Sequence, residues 1–188
     1  MAEVSSAART ISWALEEVLY DLEVHPPMRL DDGVVRWEQG RAQLRPDLRR
    51  PSAATAVHLA FVAAANGVRI APETLERIGT ATVPEDRWPP DLREAFVALL
   101  SCGRGAIPVI EALDHGGLWT KLIPEWTPAR SRPQHNPYHA YTVDRHLLEA
   151  VAHAADVPTR RPELLLLAAL FHDLGKAYPG DHSVVGEE

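Results

Sequence analysis

The sequence predicts a mainly α fold: a helical unit that carries one small β-hairpin, followed by two further helices. Three observations point there. Apolar residues recur at helical spacing through residues 5–23. Short stretches of the same kind, punctuated by Pro and Gly, fill residues 52–117. Beyond a Pro-rich segment two more helical stretches follow, and a single region near residues 28–44 reads as β.

Taken in order, SSAARTISWALEEVLYDLE places Ala8, Ile11, Ala14 or Leu15, Val18, Leu19 and Leu22 along one helical face. His25-Pro26-Pro27 stops that helix, because proline lacks an amide and clashes with the preceding turn. In MRLDDGVVRWEQGRAQL, Asp32-Gly33 is a turn signal, and Val34, Val35 and Trp37 are strand formers. Ser52 is placed to cap SAATAVHLAFVAAANG, with Gly67 at its C-terminal end. PETLERIG begins with Pro72 in a favoured first-turn position, and WPPDLREAFVALLSCG is introduced by Pro90-Asp91. IPVIEALDHGG ends at Gly116-Gly117. Such short helices with brief connections suggest a compact all-α unit. Within it, His58 and His115 read as packing and capping residues, and His25 has no evident partner.

TPARSRPQHNPYH marks a boundary. A helix from about Tyr138 to Ala155 then buries Val143, Leu147, Leu148, Val151 and Ala155. PELLLLAALFHDLGK starts at Pro162-Glu163, stops at Gly175 and is apolar enough for a core helix.

The composition narrows the function classes. The chain has 188 residues, 46% of them hydrophobic and 24% charged, as in globular proteins with a real core. A net charge of −7 argues against broad binding to nucleic-acid backbone. No apolar run approaches the ~20 residues that span a bilayer, and the N-terminus lacks the pattern of a signal peptide, so no membrane association and a cytoplasmic location are expected. The lone Cys102 excludes an internal disulfide and reads as a small buried residue.

Six of the nine histidines (His135, His139, His146, His153, His172 and His182) fall in the last third. His172-Asp173 closes the apolar second helix, where an unpaired carboxylate is costly. A divalent cation satisfies both side chains, one through a nitrogen lone pair and the other through charge and a hard oxygen. Neighbours on one helix point ~100° apart, so a third ligand from the adjacent helix is needed, and His146 is the natural candidate. His139, His146 and His153 lie close to one helical face. Neighbours at that spacing are ~10 Å apart, too far for two of them to share an ion. Asp144 either orients a ligand or is a helix surface charge. His139 is expected at the pocket mouth and His153 at the surface.

An amphipathic helix with His146, then an apolar helix ending LFHDLGK, then GDHSVVGEE, matches the order of the HD superfamily. More specifically, RSRPQHNPYHAYTVDRHLLEAV followed by RPELLLLAALFHDLGKAYPGDHSVVGE resembles the bifunctional uridylyltransferase/uridylyl-removing enzymes of bacterial nitrogen control. The upstream stretch ALLSCGRGAIPVIEALDHGGLWTKLIPEW resembles the helical region between their two catalytic domains.

The resemblance implies a division of the chain. Residues 1–27 would form a helix following a nucleotidyltransferase domain, 28–130 a linker region, and 131–188 the front of an all-α HD domain truncated before its closing Asp. It implies a metal-dependent phosphodiester hydrolase that removes UMP from the uridylylated P-II signal-transduction protein, with glutamine sensed through ACT domains that this chain lacks. The implied metal is Mg²⁺ or Mn²⁺, with Fe also open, held by His146, His172, Asp173 and His182. Asp173 and Lys176 are the catalytic candidates, Lys176 being placed to meet phosphate oxygens or to be a solvated helix-end charge. A turn histidine at the surface is the plainer reading of His182. A different HD phosphohydrolase and a non-catalytic helical interaction module remain the competing readings.

Overall fold

The computed structural model describes residues 2–23, 25, 33–48, 50–133 and 141–178. Its architecture is mainly α with one small sheet. Helix α1 spans Ala2–Leu22, and the sheet follows as β1 (Val35–Glu38) and β2 (Arg41–Leu44). Next come α2 (Ala53–Ala65), β3 (Arg69–Ile70), α3 (Pro72–Gly79), α4 (Pro90–Ser101), α5 (Ala106–His115) and the single turn α6 (Trp119–Leu122). A 3₁₀ segment at Pro124–Ala129 leads towards the last pair, α7 (Val143–Ala155) and α8 (Pro162–Phe171), and a 3₁₀ turn at Leu174–Ala177 follows α8. Among the described residues no single helix is long and apolar enough to cross a membrane.

Helix α2 is the centre of the core. Ala53, Ala56, Val57, Leu59, Ala60, Val62, Ala63 and Ala64 are all buried, because the sheet, α4 and α5 surround it. Its ends are made locally. The Ser52 side chain accepts the Thr55 amide, and past the C-terminus Gly67 takes φ 65° while the amides of Gly67 and Val68 reach the carbonyls of Ala64 and Ala63. That pairing closes a helix with a left-handed residue, where glycine pays no Cβ penalty.

The β-hairpin forms, but not around Asp32-Gly33. Its turn is Gln39-Gly40, both at positive φ (52° and 78°), with Glu38 opposite Arg41. Two left-handed central residues match the right-handed strand twist, which fixes the register at this turn. The sheet also gains a third strand, as β3 pairs in parallel with β2 across α2.

Helix α1 turns its apolar stripe outward. Val4, Ile11, Leu15, Val18, Leu19 and Leu22 are all more than half exposed. The opposite face docks instead. Trp13 stacks on His115 with ring centroids 4.1 Å apart, and the Tyr20 hydroxyl donates to the Gly40 carbonyl at 2.7 Å. Arg41, itself buried, reaches Glu17 and Asp21 at 2.7 Å each. His25 has a partner after all: it stacks on Tyr20 at 3.9 Å and bonds the Tyr20 carbonyl through Nε2. The surface beneath α1 is ionic and aromatic, so it takes the stripe of α1 that matches it.

The Trp13–His115 stack makes this docking sensitive to pH. Burial pulls the His115 imidazole below its ordinary value of 6.5; the Asp114 charge opposes this, and Arg130 and Arg9 add to it. The folded state therefore binds fewer protons than the unfolded one. The stability this group contributes is full above pH 6.5 and is lost as pH falls through that value towards the lower folded one. Urea unfolding should show a lower midpoint at pH 5 than at pH 7.5, and His115→Phe, which keeps the stack, should shrink the difference. An unchanged difference would refute the assignment.

Helix α7 begins at Val143, later than Tyr138, with Thr142 at its N-cap. It buries Val143, Leu147, Leu148, Val151 and Ala152, while Ala155 is only half-buried. Helix α8 is shorter than expected and is not a core helix. It packs one face through Leu166 and Leu170 and leaves Leu164 and Phe171 exposed.

Candidate metal centre

The apolar periodicity of α7 sets its roll. With Leu147 and Val151 against α8 and the body, His146 falls on the edge nearest the end of α8. That end matters equally. Had α8 continued through His172 and Asp173, the two side chains would diverge. It stops at Phe171 instead, and Asp173 takes φ −119°, ψ 11°, which brings the carboxylate back beside its neighbour.

The result is a convergence of three donors. His146 Nε2 and His172 Nε2 each lie 3.3 Å from Asp173 Oδ2, and the imidazole centroids are 5.3 Å apart. One ligand atom from each residue falls within 4.8 Å of the others, the one such cluster among the described residues. Two donors each about 2.1 Å from a shared ion stand about 3.0–3.4 Å apart in tetrahedral or octahedral coordination, so the spacing around Asp173 suits one cation. His172 Nδ1 lies 2.9 Å from the Ala169 carbonyl. Donating there leaves Nε2 with its lone pair facing Asp173.

The cluster faces solvent, contrary to a site enclosed in the core. His172 is 41% exposed, His146 26% and Asp173 14%. Lys176 donates to Asp173 Oδ2 at 2.6 Å and is not a free helix-end charge. Burial pushes the Asp173 carboxyl up. The Lys176 hydrogen bond and the fields of His172, Lys176 and His146 outweigh that and hold it below its ordinary 3.8.

Asp144 is not a surface charge. It is fully buried, accepts the Ser131 amide at 2.7 Å and the Arg145 amide at 2.9 Å, and pairs with Arg9 of α1. Its work is to anchor the first turn of α7. Nearby Asp114, also buried, receives Arg130 at 3.0 Å; burial raises its pKa against the pull of Arg130 and Arg9. Arg9, Asp114 and Arg130 carry no motif, and only the burial of Asp114 and its ion pairs with the two arginines bring them to notice. Arg145 pairs with Glu149 and Glu111, of which the i, i+4 spacing to Glu149 is visible in sequence. His153 is exposed, whereas His139 and His182 lie outside the described residues. A groove of about 900 Å³ between α4, the 124–129 segment and α8 includes Phe171 in its lining but none of the three donors.

Comparison with known proteins agrees with this placement. The HD domain family model matches residues 139–188, the part that carries all three donors. The chain is 38% identical over 214 aligned residues to the bifunctional uridylyltransferase/uridylyl-removing enzyme of Streptomyces coelicolor, and the match covers 100% of the chain. The chain belongs to this family. It is 37% identical to the Mycobacterium tuberculosis enzyme over 98% of the chain, and 35% identical to the Corynebacterium glutamicum enzyme over 77%. It spans about a quarter of the length of these relatives, 26%, 25% and 21% respectively. No solved structure matches it significantly. HD domains are metal-dependent, and the donor set here is of the kind such a domain needs.

Proposed function

We propose that this chain supplies the metal-holding front of a uridylyl-removing HD domain, which hydrolyses the phosphodiester joining UMP to a tyrosine of the P-II protein in cytoplasmic nitrogen regulation. The observation that carries the reading is the meeting of His146, His172 and Asp173 within 4.8 Å, in a chain alignable end to end with enzymes named for uridylyl removal.

In this reading His146, His172 and Asp173 hold a divalent cation, and His182 adds a further ligand from the segment beyond. When bound, such an ion supplies Lewis acidity and lowers the pKa of water at the site. Mn²⁺ or Fe suits two imidazoles better than Mg²⁺ does, since nitrogen donors favour the transition metals. The reaction consumes one water, breaks the P–O bond to tyrosine and yields UMP and the free phenol. Tyrosine, with a free pKa near ~10, leaves without strong acid assistance. Asp173 keeps both imidazoles in place, and His172 is held in the tautomer that leaves Nε2 open. Lys176, which donates to Asp173 Oδ2 at 2.6 Å, would be within reach of the substrate phosphate if a cation replaced it as the partner of that carboxylate. His139, outside the described residues, is assigned in this reading to the pocket mouth. Glutamine control through ACT domains belongs to the longer enzymes in this reading.

The test is release of UMP from uridylylated P-II by the protein with Mn²⁺ present. Release that stops on chelation supports the reading; cleavage of free nucleotides without UMP release overturns it in favour of a different phosphohydrolase. Lys176→Ala should lower kcat/KM by about 10- to 100-fold while Mn²⁺ binding is retained or tightened, because a phosphate contact is lost and a competitor for Asp173 removed.

A further inference from the structure

The outward face of α1 is built as a helix-pairing seam. Val4, Ala8, Ile11, Leu15, Val18 and Leu22 are spaced alternately by four and three residues, and all six are exposed. These six residues repeat every 3.5 positions, the pattern by which helices interdigitate, and Ala7, Ala14 and Leu19 widen the apolar face on its flanks. Ala8, Leu15 and Leu22 take the a positions; Val4, Ile11 and Val18 take the d positions.

The residues flanking the seam are Ser5, Ala7, Ser12, Ala14, Leu19 and Asp21. They are small or apolar except Asp21, whose charge is already met by Arg41. Of the other carboxylates of α1, Glu16 and Glu17 turn towards Arg69 and Arg41 on the body side, and Glu3, in the first turn, lies outside the flanking positions. A second copy of the seam therefore meets no like charge. Because Trp13 and Tyr20 dock α1 to the body from the opposite side, two copies can meet along α1 with their bodies pointing apart.

We infer that α1 pairs with α1 of a second copy of this chain, antiparallel, about a two-fold axis. In that register Val4 of one copy lies opposite Leu22 of the other, Ala8 opposite Val18, and Ile11 opposite Leu15, so each layer joins an a residue to a d residue. A parallel pair would set Ala8 against Ala8 and leave a hole. It would also put the β-branched residues at d and Leu at a, the reverse of the choice that favours parallel dimers. A seam about 30 Å long removes on the order of 1,000 Å² of total accessible surface on pairing, near the minimum for a specific dimer. The pairing is therefore expected to depend on concentration.

Sedimentation equilibrium of the chain between about 10 and 200 µM should show a monomer–dimer equilibrium. Leu15→Asp should give a monomer across that range with unchanged helical circular dichroism, since Leu15 makes no part of the body contact. In a Cys102→Ser background, mixed Ile11→Cys and Leu15→Cys chains should form a disulfide with each other, and Leu15→Cys alone should not. A wild-type monomer throughout overturns the proposal, as does a Leu15→Asp chain that stays dimeric. So does a longer, monomeric form of the protein in which residue 15 is shielded, which would assign the seam to another part of the same polypeptide.

Discussion

Asp173→Asn should abolish tight divalent-cation binding and, with it, phosphodiester hydrolysis. The carboxylate is the one anion among the three donors and lies 3.3 Å from each imidazole nitrogen. Its removal takes away both the charge and the oxygen that bring the imidazoles into one shell. Loss of an outer partner of a metal ligand typically costs 10- to 100-fold in affinity, so loss of this ligand should exceed about 100-fold. His172→Ala and His146→Ala should follow the same course. All three side chains sit at a solvent-facing turn or helix edge, so the variants should remain folded, with an unfolding midpoint near the wild type in metal-free buffer. Calorimetric titration with Mn²⁺ measures the affinity directly. Three variants that each bind Mn²⁺ as tightly as the wild type would end the metal assignment.

The largest effect on stability should come from Trp119→Ala. Trp119 is fully buried, stacked on Phe96 at 5.4 Å and set edge-on to Trp126 at 5.8 Å, and Phe96 in turn meets Trp88. This aromatic row joins α4 to α6 and the 124–129 segment, against which Tyr178 and the turn after α8 rest. Truncating a buried tryptophan leaves a void that short neighbouring elements cannot fill, and such changes cost about 3–5 kcal/mol. Urea unfolding should register that loss as a lower midpoint with the slope retained. Trp119→Phe should cost much less, because the ring stack survives and a buried indole N–H with no hydrogen-bond partner among the described residues disappears. Equal destabilisation by both would show that the stack is not what the residue contributes.

The helices were legible because their signals are local. Ser52 marks an end through its side-chain oxygen, and Gly67, Pro72 and Pro90 through a backbone property of that one residue, and the observed ends follow them. The hairpin turn was displaced because Asp32-Gly33 is the stronger dipeptide signal, whereas Gln39-Gly40 forms the turn through its register with the strands. Pairing of β3 with β2 joins residues on either side of α2, and nothing in either short stretch announces it. Trp119 and Trp126 sit in elements too short to show a period. For α1, periodicity identified the apolar stripe but could not tell whether the rest of the molecule offers a surface to receive it; the answer lay in Asp114, Asp144, Arg41 and His115, scattered far along the chain. At the candidate site, the order of His146 before His172-Asp173 on successive helices was readable. The Lys176–Asp173 ion pair and the burial of Asp144 were not, since each depends on where a turn leaves a side chain.

The three donors come from only two places, one helix edge and the turn after the next helix, and this has a mechanical consequence. Anything that bridges His146 and His172 closes the whole stretch of chain between them into a loop, tethering α7 to α8 across their packed face. Closing such a loop removes conformations chiefly from the unfolded chain. A bound cation would then act as a removable staple, and the helical hairpin would be firmer when loaded than when empty. Leu166 and Leu170, which touch no ligand, would share in setting the grip of the site, because they hold the two jaws at their working separation.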